Sequence, residues 1–171
     1  IITMAGQGNR FRNKGYQIPK HEITVKGRSL FNWSIGSLKN FFDKEIRIIF
    51  ISLKSNRSKE FISKEMKYFN FKNWELIELA EITKGQASTA MYAELKIKSI
   101  KDPILIFNID TFINYKDLKF SLFQNNACIP CFKSESDNFS YVKVDSKGKI
   151  IEIEEKIKIS NLASVGLYGF K

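Results

Sequence analysis

The chain has 171 residues, 43% of them hydrophobic and 13% aromatic, and a formal net charge of +10 at neutral pH. That composition can bury one substantial core, so a single domain over 1–171 is expected. No apolar run approaches the roughly 20 residues of a membrane span, and the first residues lack the charged start and cleavage pattern of a signal peptide, so the expectation is a cytoplasmic protein with no membrane partner.

The elements alternate along the first two thirds of the chain. Residues 1–4 read as the end of a buried strand, and 30–42 as a helix with apolar residues at Leu30, Phe31, Ile35, Leu38, Phe41 and Phe42. Residues 46–51, apolar at every position but Arg47, form a run of the kind buried on both sheet faces. An amphipathic helix is expected over 58–69, a strand over 74–79, a helix over 88–100 and a buried strand over 104–109. This alternation predicts an α/β fold with a mostly parallel central sheet covered by helices on both faces. After Asp110 the texture changes to shorter strands near 127–132, 140–145, 150–155 and 164–170, with Ser146-Lys147-Gly148 as a hairpin turn.

The end of the first strand runs into Met4-Ala5-Gly6-Gln7-Gly8-Asn9-Arg10-Phe11, with Pro19-Lys20 beyond it. Gly6 and Gly8 permit positive φ and carry no Cβ, so successive backbone N–H groups can converge on an anion. Arg10 supplies a fork of donors and Lys20 a point charge. A nucleotide site is expected there, with Met4, Ala5, Gly6, Gly8, Asn9 and Arg10 around the phosphates. A glycine pair alone serves any tight turn. Spacing excludes two familiar loops, because there is neither a third glycine for a dinucleotide fingerprint nor a Gly-Lys-Ser/Thr for a P-loop.

Two further positions carry chemistry. Asp110 directly follows a buried apolar strand and should emerge at the same sheet edge, where a carboxylate suits magnesium shared with phosphate oxygens and water. A turn or helix N-cap aspartate is the competing reading. Gly85 precedes Gln86, Ala87 and Ser88 at the start of a helix, where small residues let a flat base approach the backbone; for Ser88 and Thr89, ordinary helix capping is the alternative. Cys128 and Cys131 have no second pair, and His21 is the single histidine. On one strand their odd separation puts the two thiols on opposite faces, which favours free buried cysteines over a metal site.

The positive charge invites a nucleic-acid reading. The first 85 residues carry sixteen basic against eight acidic side chains and the remainder twelve against ten, so the excess surrounds the glycine loop. That distribution suits steering of a polyanionic small substrate, and no nucleic-acid motif accompanies it.

Taken together, Met-Ala-Gly-x-Gly-x-Arg-Phe with Pro-Lys nine residues later resembles the signature of the sugar-1-phosphate nucleotidyltransferases, or nucleoside-diphosphate-sugar pyrophosphorylases. Further segments are similar in order: Val25-x-Gly27 with Ser29 to Ser34, Gly85 to Ala90, Ile104 to Asp110, Glu154-Glu155-Lys156, and Ala163 to Tyr168. The resemblance implies a Rossmann-like sheet with a smaller acceptor-side β portion, divided into a nucleotide-binding part at 1–110 and an acceptor-binding part at 111–171. It implies Mg²⁺ on Asp110, base and ribose contacts from Gly85, Gln86, Ala87 and Ser88, and support of Asp110 by Asn108 and Thr111. The acceptor would be held by Ser140, Glu155, Lys156, Val165 and Gly166, although Lys156 also reads as a solvated lysine paired with Glu154 or Glu155. Arg10, Lys20 and Asp110 are the implied catalytic residues, and the partners are a nucleoside triphosphate and a small phosphorylated acceptor, with a homo-oligomer possible.

Departures from the hexose-phosphate pattern at Phe139, Ser140 and Val165 weaken the sugar reading, and the chain resembles the capsule-associated branch of the family, which includes a CTP:phosphoglutamine cytidylyltransferase. CTP and a non-hexose phosphate such as phosphoglutamine are therefore the favoured substrates. A sugar 1-phosphate acceptor and a noncatalytic nucleotide-binding relative are the alternatives. A second metal-binding aspartate of the family is expected beyond Lys171, with the chain lacking its C-terminal part.

Overall fold

A run of six apolar or small residues makes the most buried strand of the protein, and the rest of the α/β layer is assembled around it. The computed structural model describes residues 1–42, 45–97, 103–123 and 127–171. In chain order the elements are strand β1 (Ile2–Met4), helix α1 (Asn9–Arg12), strands β2 (Thr24–Val25) and β3 (Arg28–Ser29), helix α2 (Leu30–Gly36), strand β4 (Ile48–Leu53), helix α3 (Lys59–Tyr68), strand β5 (Trp74–Leu79), helix α4 (Gln86–Met91), and strands β6 (Ile104–Asn108), β7 (Cys131–Lys133), β8 (Ser140–Val144), β9 (Ile150–Glu155), β10 (Leu162–Ser164) and β11 (Leu167–Phe170). Short 3₁₀ turns link several of them, including Lys20–Glu22 and Lys39–Phe41.

The central sheet has the order β11-β6-β1-β4-β5. Its three pairings along β6, β1, β4 and β5 are parallel, and β11 closes the edge of β6 antiparallel. From β1 the chain moves to one side for β4 and β5 and to the other for β6. The loops after β1 and β6 therefore leave the sheet at a topological switch point, where a crevice opens at the carboxyl ends of parallel strands.

Alternation along β4 divides the core. Ile48 and Phe50 face a large cluster with Ile2, Met4, Phe31, Ile35, Ile62, Met66 and Phe107, supplied by α2 and α3. Ile49, Ile51 and Leu53 face a smaller cluster with Ala5, Leu79 and Ala93, on the α4 side. Both faces are covered, as the apolar run requires. The two helical stretches expected to be long are broken. Helix α2 stops at Gly36 and resumes as the 3₁₀ turn Lys39–Phe41, because Gly36 and Ser37 weaken the helix while Phe41 still reaches the core. Helix α4 spans six residues, and Met91, Tyr92 and Leu95 stand in solvent, so the apolar spacing there does not mark a buried stripe. The end of the helix expected over 88–100 lies outside the described residues.

The second sheet is antiparallel, with the order β7-β10-β8-β9. Gly148, at φ 79°, closes the β8–β9 hairpin, and the Asp145 carboxylate accepts from the amides of Lys147 and Lys149 at 2.9 Å. The single strand expected over 164–170 is two: β10 belongs to the small sheet and β11 to the central one, with Val165 and Gly166 crossing between them. The cysteines likewise do not share one strand. Cys131 lies in β7 while Cys128 bridges to Gly169, and both are free and half-buried.

Gly169 shows how tightly β11 is seated. A Cβ there would overlap the Phe123 ring and lie 3.2 Å from Leu105 Cδ2. Gly169→Ala is expected to destabilise the fold by about 2–3 kcal/mol through overpacking, read as a lower urea midpoint; an unchanged midpoint would refute this packing account.

Candidate active site

Between β1 and α1 only Gly8 adopts positive φ, at 66°, and its carbonyl accepts from the amides of Phe11 and Arg12 at 2.9 and 3.1 Å. Gly6 lies outside that region and contributes room instead. A Cβ at Gly6 would lie 3.7 Å from Lys20 Nζ, and one at Gly8 would lie 3.3 Å from Lys20 Cβ. The stem of Lys20 is thus laid over the glycine loop. Its ammonium donates to Asp110 Oδ2 at 2.8 Å, across ninety residues of sequence. The lysine side chain is 16% exposed and the aspartate 38%, so the pair sits at the mouth of the crevice. Arg10 is exposed one turn along, in α1.

The turn that presents Lys20 is anchored by its neighbour. His21 is buried, and its Nε2 lies 3.1 Å from the Ser58 hydroxyl. Burial, and secondarily the positive charge of Lys20, push the imidazole down to about 4, so it is neutral at physiological pH. In the sequence His21 stands out only as the single histidine, and no spacing signal points to its buried partners.

Beside Asp110, the supporting residues differ from those expected. Asn108 Oδ1 accepts from the Thr3 hydroxyl at 3.3 Å, and the Asn108 amide donates to the Gly166 carbonyl. Gly166 has φ 76°, and a Cβ on it would lie 2.8 Å from Asn108 Nδ2 and 3.3 Å from Thr111 Oγ1. Asn108 and Thr111 therefore pack on Gly166, and the recorded side-chain partner of Asp110 is Lys20. Val165 packs toward the large core and its amide donates to Pro130.

At the next loop, Gly85 has extended backbone that any residue adopts, so the chain itself does not require glycine there. A Cβ there would meet only open space. Gln86 carries a buried Nε2 with no hydrogen-bond partner among the described residues. An unpaired buried amide costs roughly 1–3 kcal/mol, so it marks a place for an acceptor. Thr89 bonds back to the Gly85 carbonyl at 3.0 Å and to Thr83, leaving it no part in recognition. A cleft of about 310 Å³ at the same sheet edge is lined by Gln7, Arg12, Ser55, Glu81 and Ile82, none of which the motif reading selected.

The acceptor-side residues are more dispersed. Ser140 pairs with Glu155 across β8 and β9. Lys156, at φ 59°, sits 3.4 Å from the Glu155 carboxylate, and both side chains are more than two-thirds exposed. This is the solvated ion pair that competed with a phosphate role, and no recorded contact joins it to the Lys20–Asp110 pair. Among the described residues no three His, Cys, Asp or Glu side chains converge on a metal position. The donor set at the crevice is one carboxylate, which fits magnesium brought in by phosphate oxygens and does not fit an all-protein cage.

With this geometry in hand, the comparisons are specific. The family model described as "Nucleotidyl transferase" matches residues 1–171. The bifunctional protein GlmU of Methanococcus aeolicus is 30% identical over the whole of this chain, and that of Methanocaldococcus jannaschii 27% identical over 99% of it. The chain spans 39% of the length of these curated relatives. Among solved structures, a nucleoside-diphosphate-sugar pyrophosphorylase from Vibrio cholerae superposes with TM-score 0.85 at 30% identity, covering all of this chain and 73% of that one. The inositol-1-phosphate CTP transferase of T. maritima shares the fold, with TM-score 0.80 at 15% identity, over 99% of this chain and 69% of its own.

The His21 shift carries a pH dependence. The unfolded imidazole takes a proton near 6.5 and the folded one only near 4, so its stabilisation is complete above 6.5 and is lost as pH falls toward 4. The Glu22 carboxylate, 3.7 Å from Nε2, and Lys20 are the charged neighbours. The loss should reach up to roughly 3 kcal/mol. Denaturation at pH 7 and 4.5 is expected to show the stability gap between the native protein and His21→Gln narrowing at the lower pH; a constant gap would contradict the burial.

Proposed function

The chain belongs to the nucleotidyl transferase family, and we propose that it joins the nucleoside monophosphate of a triphosphate to a phosphorylated acceptor with release of pyrophosphate. The observation that carries this reading is the meeting of Lys20 and Asp110 at 2.8 Å over the glycine loop, at the switch point of the sheet. A phosphate oxygen of the acceptor attacks the α-phosphorus, the bond from that phosphorus to the β-bridging oxygen breaks, and pyrophosphate leaves. The attacking oxygen is already ionised, so no general base is needed; positioning and charge neutralisation carry the rate.

Each residue has a part in that reading. Lys20 transfers its ammonium from Asp110 to the α-phosphate, and Arg10 neutralises the β- and γ-phosphates that depart. Asp110 would hold magnesium, whose charge supplies the neutralisation at the α-phosphate. Gly6 and Gly8 give the phosphates backbone amides and clearance. Gln86 offers its unpaired amide to the base, which enters the open space before Gly85. Asn9, Ala87, Ser88 and Asn108, with the backbone of Met4 and Ala5, whose side chains are buried in the core, complete the nucleotide wall, while Ser140, Glu155, Lys156 and Gly166, with the backbone of Val165, serve the acceptor.

We favour CTP and a small non-hexose phosphate of the phosphoglutamine type, in precursor synthesis for a capsule or surface polysaccharide. The support is the branch resemblance together with Val165, whose side chain packs toward the core and offers no hydroxyl to a sugar ring. Hexose recognition rests on hydrogen bonds that this position does not provide. A sugar 1-phosphate is the second reading, supported by the Vibrio cholerae pyrophosphorylase at 30% identity.

Removing one such electrostatic contact should cost on the order of 3 kcal/mol in the transition state. Arg10→Ala, Lys20→Ala and Asp110→Asn are therefore expected to lower the rate of pyrophosphate release by about 100-fold with little change in melting temperature. Wild-type turnover in any of the three would remove that residue from the mechanism.

A pyrophosphate-release screen of four nucleoside triphosphates against phosphoglutamine and hexose 1-phosphates separates the two acceptor readings. CTP with phosphoglutamine is expected to be fastest. Faster turnover with a hexose 1-phosphate would establish the sugar reading, and preference for a purine would overturn the base assignment.

A further inference from the structure

We propose that His21 is a positioning residue for Lys20: through buried hydroxyls of Ser58 and Ser52 it locks the turn that lays the lysine over the glycine loop. The role assigned to Lys20 in phosphate chemistry comes from the proposed nucleotidyl transfer, whereas the locking itself is a property of the fold.

The turn makes few backbone hydrogen bonds of its own. Lys20–Glu22 is a single 3₁₀ turn closed by Glu22 N–H to the Pro19 carbonyl at 2.9 Å and Ile23 N–H to the Lys20 carbonyl at 3.3 Å. The chain before it is exposed from Arg12 to Ile18. A turn of this length does not fix its own rotation. His21 and Ile23 point into the protein, 1% and 3% exposed, while Lys20 between the loop and His21 points outward to Asp110.

The polar relay is continuous. The Ser52 hydroxyl lies 3.0 Å from that of Ser58, and the Ser58 hydroxyl lies 3.1 Å from the imidazole Nε2. Both serines are 0% exposed. Ser58 also occupies the N-cap of α3, yet makes no side-chain capping bond to the helix amides. A cap serine ordinarily satisfies those amides; here its hydroxyl is engaged by His21 and Ser52 instead.

Packing alone would be met by an apolar side chain, since Phe61 already lies against the ring at 5.6 Å. Burying an imidazole costs free energy unless its hydrogen bonds are made. What the imidazole adds over a hydrophobe is a fixed ring orientation at the end of β4, and through one peptide unit, a fixed Lys20.

Acetylation of Lys20 by limiting acetic anhydride, followed by mass spectrometry, tests the locking without reference to turnover. Lys96, paired with Glu75 on the far edge of the sheet, is the internal control. His21→Leu and Ser58→Ala are each expected to raise the Lys20 rate about threefold or more relative to Lys96, and His21→Gln, which keeps an N–H near the Nε2 position, to leave it near the native value. An unchanged Lys20 rate in both Leu and Ala variants, an equal rise in His21→Gln, or a parallel rise at Lys96 that signals general loosening would each overturn the proposal. In turnover, His21→Leu should add nothing to Lys20→Ala; a full additive loss would also overturn it. If Lys20 is protected as described but no triphosphate and acceptor pair releases pyrophosphate, the functional reading fails while the locking stands.

Discussion

Two opposite charges held 2.8 Å apart on the rim of a sheet constrain most of what surrounds them. Lys20 reaches Asp110 only because its stem crosses the loop at Gly8 and its ammonium passes above Gly6, where a side chain would crowd it. Asp110 is in reach only because β6 lies beside β1 in parallel, so that both strands end at the same edge. That adjacency in turn needs β4 and β5 on the other side of β1, with their two apolar faces covered by α2 and α3 on one side and α4 on the other. The charge pair is exposed enough to be displaced by a ligand. Its strength in isolation is modest, since water screens a partly exposed pair.

The α/β layer was legible because its signals are local and repeated. The apolar run read over 46–51 forms the strand at 48–53, the amphipathic helix read over 58–69 spans 59–68, and the strand at 74–79 keeps its bounds, each specified by its own residues. Helix lengths were less legible, since 3₁₀ and α turns bury similarly spaced residues and Gly36 decides between them. The division of 162–170 between two sheets was invisible, because both halves read as strand and only their partners differ.

The site divides in the same way. Residues carried by the glycine loop and by the end of β6 could be placed from sequence, because a strand end is a fixed address in a parallel sheet. Gln7, Arg12, Ser55 and Glu81 line a separate cleft at the same sheet edge, on segments whose course no periodicity encodes. His21 was hidden for another reason. A histidine beside a lysine reads as surface, and its burial depends on two serines more than thirty residues away.

The placement of β11 bears on how the protein is made. A chain growing from its N-terminus completes β6 some sixty residues before the segment that covers its outer edge. Until 167–170 arrive, the ladder groups of Ile104, Leu105 and Ile106 on that side lack their native strand partner. Unpaired apolar edges template association between chains. The small sheet and this edge strand are tied in sequence, since only Val165 and Gly166 separate β10 from β11. Lesions in β7 to β10 that displace 167–170 and spare every crevice residue can therefore cost yield before they cost chemistry.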